Sequence, residues 1–448
     1  MLILYHEWYN EEMKELLEKL PFYNQAVLPY HFAKAVVAGT KYRWPGKKMK
    51  VIGVTGTNGK TTTCFMIWKM LNEAGHKTGV MTTVAWGVDK LNKQIEHMTT
   101  VDSDTLNKRM RKIADSGAEY LVLEVTSHAM VQFRTLGVPI DIAVFTNLTH
   151  EHLDYHKTLR NYRDAKRKLF KKAKYGVINA DDKSARWFEQ DVSEYVTYGI
   201  SKGGLRAKDI SLSASGVKYA CCDIKSKKKV EKEVKNSKKN ACGDILVKTQ
   251  IPGIFNVYNS LAAVAVGLRL GLSSEQIENG IYALTDVEGR MNVVNEGQDF
   301  EVIVDYAHTP DAIQKVFDSV KDGVKGRVIS IHGGAGRRDE TTRPERGEIL
   351  AQESDIVIIT EDDSRDEDVK KIASQFVVGA EKAGKKIDKD LFVELDRRKA
   401  IRKALMMAKK GDLVLVLGKG HEKTILRADG EHPFEDLKVT REELKKLN

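Results

Sequence analysis

The stretch Gly56-Thr57-Asn58-Gly59-Lys60-Thr61-Thr62-Thr63 constrains this chain more than any other. It follows Lys50-Val51-Ile52-Gly53-Val54-Thr55, a β-branched run that reads as a buried strand. It precedes Cys64 to Ala74, whose apolar residues at 66, 67, 70 and 71 suit a helix. Strand, glycine loop and helix in that order make a phosphate cradle, because glycine backbone N–H groups close around phosphate oxygens and the helix N-terminus adds partial positive charge. Lys60 then reaches the terminal phosphates, and the Thr61 hydroxyl serves Mg²⁺. The spacing departs from the general G-x-x-x-x-G-K-[ST] pattern in that Val54 stands at the first glycine position. The competing reading, a glycine-rich turn with no ligand, leaves the Lys-Thr pair at the helix start without a purpose.

Further along, Glu119 to Val125 reads as a buried strand whose C-terminal end carries Glu124. Ligands of open parallel sheets sit at the carboxyl ends of strands, so Glu124 is a candidate Mg²⁺ ligand, with a helix cap or salt bridge as the alternative. Thr78 to Trp86 and Asp141 to Leu148 read as strands, and 104–116 as a helix. Thr149-His150-Glu151-His152-Leu153-Asp154-Tyr155-His156 follows, where three histidines invite a zinc reading without the H-E-x-x-H spacing of a zinc helix. Lys166 lies within a helix over Tyr162 to Phe170, where a lone lysine is ordinarily solvated. Short alternating stretches between about 205 and 250 predict an antiparallel edge sheet, followed by helices over 259–269 and 273–284. From 286 onward, strands at 300–305, 327–331, 355–360, 391–395 and 412–417 alternate with helices at 309–320, 343–352, 367–382 and 397–409. That alternation implies a mostly parallel, doubly wound sheet. The chain therefore divides into a short N-terminal segment 1–47 with a helix over 11–20, a central unit 48–285 and a C-terminal unit 286–448.

Composition mainly excludes. A chain of 448 residues with 42% hydrophobic and 30% charged residues is an ordinary globular one of two or three domains, at roughly 150 residues each. No apolar run approaches the ~20 residues of a membrane span, and the start of the chain does not look like a signal peptide. Cys64, Cys221, Cys222 and Cys242 form no C-x-x-C pair, which points to the cytoplasm rather than a disulfide framework. The net charge of +10 owes much to eight lysines within 225–240, which read as a solvated hairpin or loop. Aromatic residues are not interleaved with the basic ones, so no nucleic-acid platform is expected.

The stretches GVTGTNGKTTT, LEVTSHAMVQFR, FTNLTHEHLDYH, YRDAKRKLF, GIFNVYNSLAA, EGRM, VDYAHTPDAI, RRDETTRP and GKGHE occur in order over about residues 48–435. In these the chain resembles the Mur ligases, specifically the branch adding the third amino acid to UDP-N-acetylmuramoyl-L-Ala-D-Glu. The resemblance implies an α/β fold with a central P-loop ATPase domain and a C-terminal Rossmann-like domain. It also implies an enzyme that uses ATP and Mg²⁺ to make an acyl-phosphate, which an amino group then attacks. Gly56, Thr57, Asn58, Gly59, Lys60, Thr61, Thr62, Asn256, Asn259, Arg290 and Asp305 match the family's nucleotide and closure positions. Thr61, Glu124 and His152 match its Mg²⁺ ligands, and Lys166 matches a lysine that the family carbamylates to hold a second Mg²⁺. Catalysis would then rest on Lys60, Glu124, His152 and Lys166. Thr99, Thr100, Thr126, Gln132 and Arg134 match the muramoyl-dipeptide site. Arg343, Asp362, Asp363, Arg365, Gly418 and Glu422 match the site of the incoming amino acid. The implied partners are a UDP-muramoyl-dipeptide or similar acceptor and a diamino acid, with the enzyme acting as a monomer.

Two departures stand out. The segment before the P-loop is shorter than the uridine-binding domain of this branch, so that domain is expected to be truncated or absent. The family's Asp-Asn-Pro-Arg signature for meso-diaminopimelate reads Asp362-Asp363-Ser364-Arg365 here. Arg343 and Arg365 still favour a substrate with two carboxylates, meso-diaminopimelate over L-lysine. The alternatives are a folylpolyglutamate-synthase-like ligase, the subunit of a glutaminase-paired amidating complex, and a nucleotide-binding protein without turnover.

Overall fold

The structure, a computed structural model, describes residues 26–94, 96, 98–213, 216–223 and 245–447. The expected helix over 11–20, the lysine-rich stretch 225–240 and Cys242 lie outside these residues.

Two sheets organise the chain. The larger contains β1 (Lys50–Thr55), β2 (Thr78–Met81), β3 (Ala85–Gly87), β4 (Leu91–Lys93), β5 (Tyr120–Glu124), β6 (Ile140–Phe145), β7 (Ala173–Asn179), β8 (Tyr195–Gly199), β9 (Leu205–Ser213), β10 (Gly216–Asp223) and β11 (Ile245–Thr249). Their order is β11-β10-β9-β8-β7-β6-β1-β5-β2-β3-β4. β1 lies at the centre, parallel to both β5 and β6, which puts Val54 opposite Glu124 and Val144. Because successive strand residues face opposite sides, Val51, Leu121, Leu123, Ala143 and Phe145 fill one core while Ile52, Val54, Val122, Ile142 and Val144 fill another. The second core is shared with helices Lys60–Glu73 (α2), Phe255–Leu270 and Ser274–Tyr282; the first is shared with Ser103–Asp115 and Leu159–Phe170. Helix α1 (Leu28–Lys41) packs beside Ser103–Asp115 through Lys41 and Tyr42 on Asp104. The antiparallel trio β9–β11 forms the expected edge sheet.

The smaller sheet contains β12 (Asn292–Val293), β13 (Glu301–Asp305), β14 (Val328–Gly334), β15 (Ile356–Glu361), β16 (Leu391–Val393) and β17 (Leu413–Leu417), ordered β12-β13-β17-β14-β15-β16 and parallel except for β12. Helices Pro310–Val320, Thr342–Glu353, Val369–Lys382 and Arg397–Met407 connect its strands, as the alternation predicts.

Two local expectations need correcting, and one hairpin adds to the expected elements. The run Thr78 to Trp86 is two strands rather than one, because the Thr82 hydroxyl accepts from the N–H groups of Val84 (3.2 Å) and Ala85 (3.1 Å) and reverses the chain. The helix expected from 259 begins at Phe255, where the Asn256 side chain donates to Pro252 O (2.6 Å). The hairpin of Thr424–Arg427 and Gly430–Pro433, with the final helix Asp436–Lys445, carries no strong periodic signal and was not anticipated. Among the described residues no helix is long and apolar enough to cross a membrane.

Candidate functional site

The carboxyl ends of the central parallel strands of both sheets open on one cleft of about 920 Å³. The glycine loop forms its floor. Gly59 caps α2 with φ 81°, and a Cβ there would lie 2.4 Å from Asn259 Oδ1, so only glycine fits. The loop is held from the side by β6's continuation. Thr57 N donates to Asn147 O (2.8 Å), Asn58 N donates to Asn147 Oδ1 (2.9 Å), and the Thr146 hydroxyl donates to Asn58 O (2.7 Å). Lys60 Nζ rests on Thr57 O at 2.6 Å, and Gly59 to Thr62 line the cleft. The first N–H groups of α2 have no carbonyl within the helix to bond, which leaves them for an anion.

Glu124, at the end of β5, is 1% exposed. Its carboxylate accepts from the Thr61 hydroxyl (3.0 Å to Oε2) and from the N–H and hydroxyl of Thr83 (3.0 and 3.1 Å). His152 follows β6 with φ 56°, a conformation that turns its ring into the cleft wall, 3.6 Å from Glu151. Burial lowers its basicity, and Lys166 and Lys60 oppose the charge further. His128 packs 4.8 Å from the His152 ring and is pushed down to about 2 by burial and the neighbouring imidazoles. His156 donates to or accepts from Ser127 Oγ (2.9 Å) and is lowered to about 4 by burial and His152. The rings cluster, with His128 4.8 Å from His152 and 5.3 Å from His156, but among the described residues their nitrogens form no group that could hold a metal ion.

Lys166 overturns the ordinary reading of a helical lysine. It is 2% exposed and sits under the loop, with Nζ donating to Gly56 O at 2.6 Å and lying 4.5 Å over the Tyr162 ring. Burial, then the nearby charge of Lys60, push its ammonium well below the usual lysine range. Such an amine spends more of its time neutral and nucleophilic.

The smaller sheet supplies the opposite wall. Asp305 ends β13 and spends its carboxylate on its own turn, accepting from Met291 N and Ala307 N (both 2.7 Å). Arg290 stacks 4.6 Å over Tyr306 and reaches Thr61 Oγ1 (3.3 Å). Asp362, Asp363, Arg365, Gly418 and Glu422 line the far end. Arg365 has φ 54°, with its N–H on Leu426 O (2.9 Å) and its guanidinium on Gly336 O. Arg343 is a correction: expected at the incoming amino acid, it is fully buried away from the cleft wall. Its guanidinium pairs with Glu367 (2.6 and 2.8 Å) and bonds Gln375 and Ala335 O. Arg338, five residues earlier, lines the cleft instead and forms no hydrogen bond or ion pair with another described residue.

The two sides are joined across the cleft by Asn58 Nδ2 on Asp311 (2.8 Å), His308 Nε2 and Glu151 (3.2 Å), and His150 and Asp339 (3.1 Å). Although burial opposes it, His152, His308 and Lys60 hold the Glu151 carboxyl well below its usual range.

The pattern described as the Mur ligase middle domain matches residues 54–267, and that described as the Mur ligase glutamate ligase domain matches residues 289–420. The UDP-N-acetylmuramoyl-L-alanyl-D-glutamate--2,6-diaminopimelate ligase 1 of Clostridium acetobutylicum is 38% identical over 420 residues, 93% of this chain and 82% of that protein. This chain belongs to the Mur ligase family. It is accordingly an ATP-dependent ligase that forms an amide bond. The UDP-N-acetylmuramyl-tripeptide synthetase of Treponema denticola is also 38% identical, over 427 residues covering 89% of this chain and 77% of that one. Among solved structures, a UDP-N-acetylmuramoyl-L-alanyl-D-glutamate--2,6-diaminopimelate ligase aligns with a TM-score of 0.60 at 29% identity, over 89% of this chain and 79% of that one. Mycobacterium tuberculosis folylpolyglutamate synthase complexed with ADP aligns with a TM-score of 0.70 at 14% identity, over 91% of this chain and 95% of that one, which shows the shared fold alone.

In this Mur ligase the positions matched to the acceptor fall in two layers. Thr99 and Thr126 line the cleft. Thr100, Gln132 and Arg134 stand behind them, tied together by Thr100 Oγ1 on Glu124 O (2.9 Å), Thr126 N on Thr100 Oγ1 (3.0 Å), Arg134 Nη1 on Thr100 O (2.5 Å) and Arg134 Nε on Gln132 Oε1 (3.1 Å). Asn256 and Asn259 are bonded to each other (2.8 Å) at the edge of the glycine loop. Glu151, His308, Arg338, Arg346 and Lys419 were missed. All but Arg346 sit inside the matched motifs, yet only folding reveals where their side chains go.

The glycine loop yields one prediction. Gly59→Ala forces a φ of 81° on an L-residue, at ~1–2 kcal/mol, and drives a carbon into Asn259. Nucleotide binding, measured by titration calorimetry with ADP, should weaken by an order of magnitude or more. An unchanged affinity would show that the loop is not the phosphate cradle.

Proposed function

We propose that this enzyme joins the amino group of a diamino acid, meso-diaminopimelate in preference to L-lysine, to the free carboxylate of UDP-N-acetylmuramoyl-L-Ala-D-Glu. The observation that carries the reading is convergence: Lys60, Glu124 and His152 from the larger sheet face Arg290, Arg338, Arg365, Asp362 and Glu422 from the smaller one across a single cleft. The ATP phosphates lie in the glycine loop, where Lys60 and the α2 N-terminus offset the charge that spreads over the transferring phosphoryl group. The acceptor carboxylate attacks that group on the Thr99–Thr126 side, giving an acyl-phosphate and ADP. The amine of the amino acid, held by the smaller sheet, then attacks the acyl carbon, and phosphate leaves.

Hard oxygen donors suit Mg²⁺, and Thr61 Oγ1 and the Glu124 carboxylate already touch at 3.0 Å with His152 on the adjoining wall. Thr61, Glu124 and His152 would hold the ion. When bound, it neutralises phosphate oxygens and polarises the transferring group. A protonated Lys166 beside Lys60 would repel a cation. Its depressed basicity fits the alternative that the neutral amine adds to carbon dioxide, losing a proton and becoming a carbamate anion. As the carbamate, Lys166 would help hold a second Mg²⁺.

For the incoming amino acid, Arg365 and Arg338, which line the cleft, are assigned to a distal carboxylate, and Asp362, Asp363 and Glu422 to its ammonium groups. This replaces Arg343 with Arg338 in the sequence-based assignment. L-lysine, with one carboxylate, would leave one arginine without a counter-ion.

Two experiments test the reading. Lys166→Ala should fold as the wild type does but lose at least ~100-fold in phosphate release, the scale of one lost electrostatic stabiliser, with partial recovery on adding short carboxylic acids. Retained activity removes the carbamate from the account. In competition between meso-diaminopimelate and L-lysine, the wild type should choose diaminopimelate, and Arg338→Ala or Arg365→Ala should erase the choice. A preference for lysine in the wild type overturns the substrate assignment.

A further inference from the structure

Among the described residues, one group of acidic side chains has the spacing of a metal site: ligand atoms of Asp362, Asp363 and Glu422 lie within 4.8 Å of one another. The position at their centre is taken. Lys419, fully buried, places Nζ 3.3 Å from Asp362 Oδ1, 2.8 Å from Asp363 Oδ1 and 2.6 Å from Glu422 Oε2. Its inward course is set by the glycines on either side, Gly418 at φ 113° and Gly420 at φ 52°, which turn the chain back toward Tyr306. The carboxylates face two ways. Asp362 Oδ1 also accepts from Asp363 N (2.7 Å), and Asp363 Oδ1 from Leu426 N (3.0 Å). No hydrogen bond from another described residue reaches Asp362 Oδ2 or Asp363 Oδ2, while all three acids line the cleft and Lys419 does not.

We propose that Lys419 is a positioning residue standing where a metal ion would otherwise bind, its ammonium gathering Asp362, Asp363 and Glu422 from below so that the free Oδ2 atoms of Asp362 and Asp363 meet an ammonium group of the incoming amino acid, while Glu422 Oε1 accepts from the Tyr306 hydroxyl (3.5 Å). The inference rests on the ligase reading for the identity of that ligand. The logic is electrostatic. Three carboxylates this close repel one another and, alone, would scatter or capture a divalent cation. One fixed ammonium removes part of that repulsion and excludes the metal, yet leaves an excess of negative charge on the cleft side. A substrate ammonium is then bound by groups already in place, with little reorganisation. Arg397, another buried cation whose charge acts on Asp362, is committed to Asp436 at 2.7 Å and cannot substitute.

The test compares wild type, Lys419→Met and Lys419→Arg in the full-length protein, with thermal melting as the control for folding. For Lys419→Met, KM for meso-diaminopimelate should rise on the order of 100-fold, the scale of leaving buried charges without their partner, while KM for ATP stays as in the wild type. Lys419→Arg, which keeps the charge, should recover part of the loss. In nucleotide-free protein, Mn²⁺ titration followed by electron paramagnetic resonance should find one more site in Lys419→Met than in wild type or Lys419→Arg. Parallel loss in both KM values, or no added Mn²⁺ site, overturns the proposal. So does failure of both variants to fold, since Lys419 would then be holding the fold rather than the ligand. If wild type shows no amino-acid-dependent turnover, the ligase reading fails, and the Mn²⁺ comparison still decides whether Lys419 fills a cation position.

Discussion

A side chain at position 56 would put its first carbon 1.9 Å from Thr146 Oγ1, and the rest of the centre depends on that lack of room. Gly56, at φ 153°, lets β1 pass into the loop while its carbonyl turns down onto the Lys166 amine. The same close approach brings Asn147 against Thr57 and Asn58. The phosphate loop, the end of β6 and the helix carrying Lys166 are therefore one unit. Substituting Gly56 would disturb all three at once, which is why a stretch of eight residues governs so much of the chain.

Electrostatics explains why the cleft needs two sheets. On the larger sheet Lys60 and Lys166 stand against Glu124 and Glu151; on the smaller one Arg338, Arg346 and Arg365 stand against Asp362, Asp363 and Glu422. Each side carries charges of both signs, and some of their partners come from the opposite side. Contacts such as Glu151 with His308 and Asn58 with Asp311 bring the two sets together in a place from which much water is excluded, where charge interactions are stronger than in bulk solvent. A phosphorylated acceptor needs cations on one side and an amine nucleophile from the other, and that demand matches this division of labour.

Much of this was legible beforehand because it follows from local rules. The glycine loop, the acid at the end of a buried strand and the alternation of strands with helices all have signatures in residue order, and the motif resemblance pointed to His152 and Lys166. What could not be read was the direction of side chains set by distant contacts. Lys166 looks like any helical lysine until Gly56 is placed over it. Arg343 was taken from the motif resemblance, and only Glu367, from a different element, shows that its guanidinium is already paired. Lys419 was passed over for its neighbours Gly418 and Glu422, since nothing in the order of residues says that it points inward onto three acids. The break after Met81 was missed for a similar reason: it depends on one hydroxyl, Thr82, folding back on the next turn.

The central claim is that this cleft activates a carboxylate by phosphorylation before an amine attacks it. The most direct measurement uses UDP-N-acetylmuramoyl-L-Ala-D-Glu labelled with heavy oxygen in its free glutamyl carboxylate, incubated with ATP, Mg²⁺ and meso-diaminopimelate. The account predicts that one labelled oxygen per turnover appears in the released inorganic phosphate, because the bond that breaks joins phosphate oxygen to the acyl carbon. Phosphate released without label, while product forms, would contradict it.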